Sequence, residues 1–390
     1  MTEIKNIDIG INDFELPFVV EKDNEYYIKL NEILQKYELF IKNHKNQSIA
    51  ELYNDVHGLK EKIVGAIDCY YNGELINALE TINGIVKKLK SSEICVRTVE
   101  ECYAFKGAAI SPPTIYKEQY REEYTYARDF SPLIFYKARI GREQYGIKDL
   151  LHIPFDNRGI IKNQRFSING LPCLYLASTT YGTWVEMGRP AESEFQVSAF
   201  KLPKDLLVLD LTIQQHLING MGSIASDDEI KKALYYLKMF PLVIAISGVV
   251  RDKSRTFKSE YIIPQLLMMS CNSEKIQSIA YLSKQSKDLK GYPQAVNLAV
   301  MTKKGTSEKY WDRIEELDVT KPTFYSDFLM RPKEYISPND YKAFVNAIFY
   351  DSNLNSIELA NDEVIYTETS FSQFDEYLAR LTFYNAKHYI

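Results

Sequence analysis

The stretch from Phe135 to Pro190, FYKARIGREQYGIKDLLHIPFDNRGIIKNQRFSINGLPCLYLASTTYGTWVEMGRP, decides how this chain is read. It opens on a short run of β-formers in which Lys137 and Arg139 share one face, because strand side chains alternate. Arg165 follows Gln164 just before a turn, SINGLP (167–172), that leads into a second apolar strand, CLYLAS (173–178). Thr180–Met187 then reads as a helix. On it Glu186 is flanked by Trp184 and Met187, and an acid among such apolar neighbours is a candidate for partial burial.

Working outward, FQVSAFKL (195–202), LLVLDL (206–211), PLVIAIS (241–247), QSIAYLS (277–283) and AVNLAVMT (295–302) are further short runs rich in β-formers. Candidate helices lie between them at Asp227–Met239, capped by Ser226 or Asp227, and at Phe257–Met269. Strands outnumber helices and do not alternate strictly with them, so an α+β mixed sheet is expected rather than a doubly wound parallel one. Upstream, residues 25–92 read as helical. Leu30, Ile33, Leu34, Tyr37 and Phe40 recur at three- and four-residue steps, and Ile63, Ile67, Tyr70, Leu75, Leu79, Ile82 and Ile85 continue the pattern. KKLKSS (87–92) places cations at a helix C-terminus, where the dipole favours them.

After the breaker SPP (111–113), KEQYREEYTYARDF (117–130) reads as an exposed helix. The tail has an amphipathic stretch at Tyr310–Leu317, turns at TKP (320–322) and SPND (337–340), and a final helix near Gln373–Leu381. The organisation expected is a small all-helical domain at 1–93, a connecting segment at 94–130, a central domain at 131–302, and an α+β extension at 303–390 that packs on it.

Composition removes several classes of function. The 390 residues carry 47 Lys+Arg against 52 Asp+Glu, a net charge of -5, which argues against a general nucleic-acid binder. A hydrophobic content of 45% is enough for real cores and excludes a disordered chain. Cys69, Cys95, Cys102, Cys173 and Cys271 are odd in number and form no C-x-x-C pair, so reduced thiols are expected rather than disulfides or a zinc site. The five histidines lie far apart, and no metal centre is expected. The polar, mildly acidic N-terminus has no signal-peptide pattern, and no long apolar run exists to span a membrane; a cytoplasmic location is expected. The phosphate-loop, dinucleotide-glycine, nucleophile-elbow and zincin motifs are all missing.

The ordered set of remaining motifs resembles the RES domain, named after a recurrent Arg, Glu and Ser. The resemblance rests on FYKAR (135–139), on R-F-S-x-x-G-x-P-x-L-Y-L-A from Arg165 to Ala177, and on Glu186. It continues through SEYIIPQLL (259–267), similar to the family's late helix, and IQSIAYLS (276–283), similar to the strand that delivers the Ser, here Ser283. It covers roughly 130–300 in the right order.

The resemblance implies an ADP-ribosyltransferase-like fold that binds NAD+ as substrate, with no further cofactor, and cleaves its nicotinamide–ribose bond. Family members are toxins of bacterial toxin–antitoxin pairs that deplete NAD+ by hydrolysis or phosphorolysis, and some relatives transfer ADP-ribose to a protein. A helical extension of the HEPN-like kind suits residues 1–93. The ribonuclease motif of active HEPN domains is missing around His44 and His57, so a packing or sensing role is expected there. An antitoxin or an activating protein is the expected partner, in a toxin–antitoxin or anti-phage setting; self-association is left open.

Carried over residue by residue, Glu186 stabilises the oxocarbenium-like charge that builds on the ribose. Arg139 and Arg165 hold the pyrophosphate, a task that suits planar, multidentate cations, and Lys137 is the alternative to Arg139. Ser283 binds the nicotinamide or ribose, with Ser278 and Ser286 as alternatives. Tyr175 or Tyr181 stacks on the nicotinamide. His152 and Arg158, in HIPFDNR, are candidate pocket residues. Two other outcomes are kept: mono-ADP-ribosylation of a protein, and an inactive binding or regulatory module.

Overall fold

A short strand β1 (Phe18–Val20) precedes helices α1 (Asp23–Lys42), α2 (Gln47–Ala50), α3 (Tyr53–Tyr71) and α4 (Leu75–Lys90), followed by β2 (Val96–Thr98). The central stretch continues as β3 (Phe135–Ile140), α5 (Ile147–Leu150), β4 (Cys173–Ala177), α6 (Thr180–Glu186), β5 (Phe195–Lys201) and β6 (Leu207–Leu211). Next come α7 (Asp227–Ala245), β7 (Gly248–Val250), α8 (Ile262–Ser273), β8 (Ser278–Leu282) and β9 (Val296–Met301). The C-terminal part adds β10 (Asp318–Thr320), β11 (Thr323–Phe324), α9 (Tyr325–Leu329), β12 (Ser356–Leu359), β13 (Asp362–Ile365), α10 (Ser370–Ala379) and β14 (Phe383–Asn385). The chain is α+β, as its patterning predicts.

This computed structural model describes residues 14–92, 94–105, 133–213, 227–285, 294–304, 309–331, 356–359 and 362–390. The expected helix at 117–130, the breakers SPP and SPND, and Ser226 and Ser286 lie outside them. The described residues form two compact units. The first takes the chain up to Arg97, Lys162–Asn169 and Leu209–Leu289; the second takes Thr98–Ile161, Gly170–Val208 and Lys290–Ile390. No described helix is long and apolar enough to cross a membrane.

In the first unit the helices bury the stripe their spacing foretells: Leu30, Ile33, Leu34 and Tyr37 on α1, Val56, Ile63 and Ile67 on α3, and Ala78, Ile82, Ile85 and Leu89 on α4. Leu75, at the first position of α4, is left 53% exposed and does not join it. Lys87, Lys88 and Lys90 fill the last turn of α4, beside its exposed carbonyls.

PLVIAIS, expected as a strand, is instead the end of α7, which runs through Pro241 to Ala245. The strand begins only at Gly248, where β7 pairs parallel with β1. Proline has no N–H for the carbonyl one turn back, that of Leu237. The Tyr37 hydroxyl donates to that carbonyl at 2.5 Å, and the Tyr26 hydroxyl donates to the Ala245 carbonyl at the helix end at 2.7 Å. Two tyrosines of α1 therefore complete the hydrogen bonding of a buried apolar helix, and burial raises both phenol pKa values.

In the second unit the strand order is β14-β10-β5-β3-β4-β9, with antiparallel neighbours, and β11 also pairs with β5. Alternation along β3 sends Tyr136 and Ala138 to the face covered by α6 and α10, where they meet Tyr181, Val185, Phe371 and Phe374. Lys137 and Arg139 leave from the opposite face. The tail thus contributes core: the predicted final helix is α10, and its aromatic side chains pack with those of α6.

Candidate functional site

Glu186 is the last residue of α6, and the chain is built to end the helix there. Thr179 caps the start, its Oγ1 accepting from the Gly182 N–H at 2.9 Å. At the far end Gly188 takes a left-handed backbone (φ 84°), and the Arg189 and Gly188 N–H groups bond back to the Trp184 and Val185 carbonyls at 2.9 and 3.1 Å. Gly182 lets α6 lie close to the sheet. A Cβ there would stand 3.0 Å from the Gln294 carbonyl oxygen and 3.3 Å from the Ala177 Cβ.

The Glu186 carboxylate is half-buried, and its Oε1 accepts a 2.6 Å hydrogen bond from the side-chain amide of Asn297. Asn297 lies in β9 opposite Ala177 of β4 and is only 4% exposed. It was not among the residues expected to act. Its signal was the single amide in the apolar run AVNLAVMT, since a buried amide needs a partner.

The other nominated residues of the second unit divide by environment. Lys137 is turned inward, its ammonium donating to the Leu151 carbonyl at 2.9 Å, and burial lowers its pKa to about 8. The Arg139 side chain is 47% exposed; it donates to the Asp149 carbonyl at 2.8 Å and lies over the Tyr145 ring. Tyr175 is half-buried on β4. Tyr181 is core, edge-on to Phe371 and Tyr366, with no open face for a nicotinamide. Arg158 folds back on its own turn, donating to the Phe155 carbonyl at 3.1 Å.

His152, expected to line a pocket, supports backbone instead. Its Nε2 accepts from the Trp311 N–H at 3.0 Å, so Nδ1 carries the proton and donates to the Ile153 carbonyl at 2.8 Å. Both nitrogens are used, and burial lowers the pKa to about 4, which keeps the ring neutral.

In the first unit, three of the ordered motif segments meet. The Phe166 ring packs on Tyr281 with centroids 4.5 Å apart, joining the Arg165 turn to the strand that leads to Ser283. The Gln265 amide of α8 donates to the Gln164 carbonyl at 3.1 Å, joining the SEYIIPQLL segment to the same turn. Arg165 donates to the Ile246 carbonyl at 2.9 Å and lies over the Tyr261 ring. Ser283 is fully buried, and its Oγ accepts from the Gln285 N–H at 3.2 Å. Gln285 and Arg165 line one open cleft of about 400 Å³. Beside it Glu260 is fully buried and ion-paired to Arg255. Ser278 is buried at the start of β8.

The structure therefore brings Arg165 and Ser283 to one region of the first unit, and joins Glu186 to Asn297 in the second. Arg139 and Lys137 leave β3 on the face away from α6. Among the described residues no group of three His, Cys, Asp or Glu is placed to hold a metal ion.

No protein-family model matches the sequence, and no solved structure matches it. The chain is similar to a Bacillus subtilis (strain 168) protein named "Putative toxin YopC", with 36% identity over 161 residues. That match covers 39% of this chain and spans 36% of that protein's length.

Proposed function

We propose that this chain is a toxin-class enzyme that consumes a nicotinamide dinucleotide, NAD+, by cleaving its nicotinamide–ribose bond. The observation that carries the reading is Glu186, a carboxylate held at a helix end by the buried amide of Asn297. A fixed negative charge of this kind stabilises an oxocarbenium-like ribose as the C–N bond breaks and nicotinamide departs neutral. Water then adds its oxygen to the ribose carbon and releases a proton, leaving ADP-ribose.

Three further features support it. The Arg165, Ser283 and SEYIIPQLL segments, three of those on which the RES resemblance rests, lie against one another. Arg165 faces an open cleft with donors beyond the one it gives to Ile246, which suits a pyrophosphate. The protein of similar sequence carries a toxin's name. Arg139 and Lys137 leave β3 on the face away from Glu186, and the Lys137 ammonium is buried against Leu151, so neither adds a ligand to this reading. Tyr175 remains the candidate aromatic partner of the nicotinamide.

Purified full chain incubated with NAD+ tests this. Nicotinamide and free ADP-ribose are the products expected. Label transferred from NAD+ to protein would favour ADP-ribosylation, and no turnover would leave a binding module.

A further inference from the structure

The cleft that holds Arg165 carries more positive charge than a pyrophosphate can use. Five cations line it, Lys162, Arg165, Lys253, Arg255 and Lys258, and no carboxylate does among the described residues. One of the five, Arg255, is already matched by the buried Glu260. Lys258 gives one bond to the Arg255 carbonyl, and its charge interacts with the neighbouring Asp252 carboxylate. Lys162 and Lys253 find no acceptor among the described residues. Three positive charges, those of Lys162, Arg165 and Lys253, therefore face an opening of about 400 Å³ with no carboxylate matched to them, and the opening is within the size range of small-molecule sites.

The pyrophosphate diester of NAD+ brings two negative charges and leaves one of these three cations unmet. A phosphate monoester brings roughly another 1.5 to 2 at neutral pH. The two kinds of cation also divide the work: the planar guanidinium of Arg165 suits the bridging diester, and lysine ammoniums suit a terminal phosphate as point charges. The Tyr261 ring is already covered by Arg165 and Lys258, which leaves it to hold cations rather than a base.

We infer that the ligand of this cleft is a dinucleotide bearing a third phosphate, so that NADP+ is preferred to NAD+. The inference rests on the dinucleotide reading above and goes past it in naming the substrate form.

Calorimetric binding to the full-length Glu186→Gln protein, in which the ligands survive, tests it. NADP+ binds roughly tenfold or more tightly than NAD+, the scale of one added charge-assisted contact. The difference narrows as salt is raised from about 50 to 200 mM. It also collapses in a Lys162→Gln/Lys253→Gln variant, two side chains whose loss breaks no internal bond. Equal affinities, or a preference that the double variant retains, would overturn the inference. The preference without nicotinamide release from either dinucleotide by the wild type defeats the cleavage reading and leaves the cleft's specificity standing. Release from both with equal affinities does the reverse.

Discussion

The Asn297 amide donates to Glu186 Oε1 at 2.6 Å from a buried position in β9, so the orientation of the carboxylate is set by a residue on another element. Asn297 is a positioning residue on this account. Asn297→Ala should lower kcat by roughly ten- to a hundredfold with KM little changed, since the transition state is what the carboxylate serves. Asn297→Asp places a second carboxylate against the first, which raises the pKa of the pair and moves the acidic limb of the pH–kcat profile upward. An unmoved profile would show that Asn297 is packing only.

Tyr37 and Pro241 form a separable pair in the first unit. Tyr37→Phe leaves the buried Leu237 carbonyl without its donor and should cost about 1–3 kcal/mol in denaturant unfolding. Pro241→Ala restores an N–H one turn along α7, so in the Tyr37→Phe background it should recover much of that loss. Additive effects of the two substitutions would contradict the pairing.

Gly182→Ala tests the close approach of α6 to the sheet. The new Cβ would stand 3.0 Å from a backbone carbonyl that cannot swing away as a side chain can. A destabilisation of about 1–3 kcal/mol is expected, with a loss of activity because Glu186 rides on the same helix. Wild-type stability and turnover in this variant would show that the helix has room.

Two buried groups of the second unit give the stability opposite pH slopes. His152 titrates near 4 when folded and near 6.5 when unfolded, so its contribution is lost as pH falls through that window. Asp375 accepts from the Thr180 N–H and the Tyr366 hydroxyl, and burial raises its pKa from 3.8 to about 7. The folded chain then holds a proton that the unfolded chain has released, so stability is lost as pH rises from about 4 to 7. In the wild type the slopes largely offset. Asp375→Asn removes the second and should expose a fall on acidification from pH 6.5 to 4, of at most about 3 kcal/mol. Parallel curves for variant and wild type would refute the assignment.

Much of this architecture was legible from local pattern. The strands of the central stretch alternate or run apolar between turn residues, and α1, α3 and α4 show their buried stripe at helical spacing. PLVIAIS departs from the expected strand because an apolar run led by proline has the same pattern as a strand or as a buried helix end. What decides it is Tyr37, 200 residues away. His152 was expected in a pocket; the partner that ties its ring to backbone instead, the Trp311 amide, comes from 159 residues away. Arg165 and Ser283 lie in the first unit and Arg139 and Glu186 in the second, a division that the order of the motif segments along the chain does not carry. Alternation along β3 placed Lys137 and Arg139 together on one face, but it could not tell which face α6 would cover.

Glu186 is the group proposed to serve cleavage of the nicotinamide–ribose bond. Nicotinamide release from NAD+ and NADP+ by the purified full chain, measured beside Glu186→Gln of equal thermal stability, tests it most directly. Turnover by the wild type and a loss of at least about a hundredfold in the variant are expected. Equal rates for the two proteins, or no release by the wild type from either dinucleotide, would contradict it.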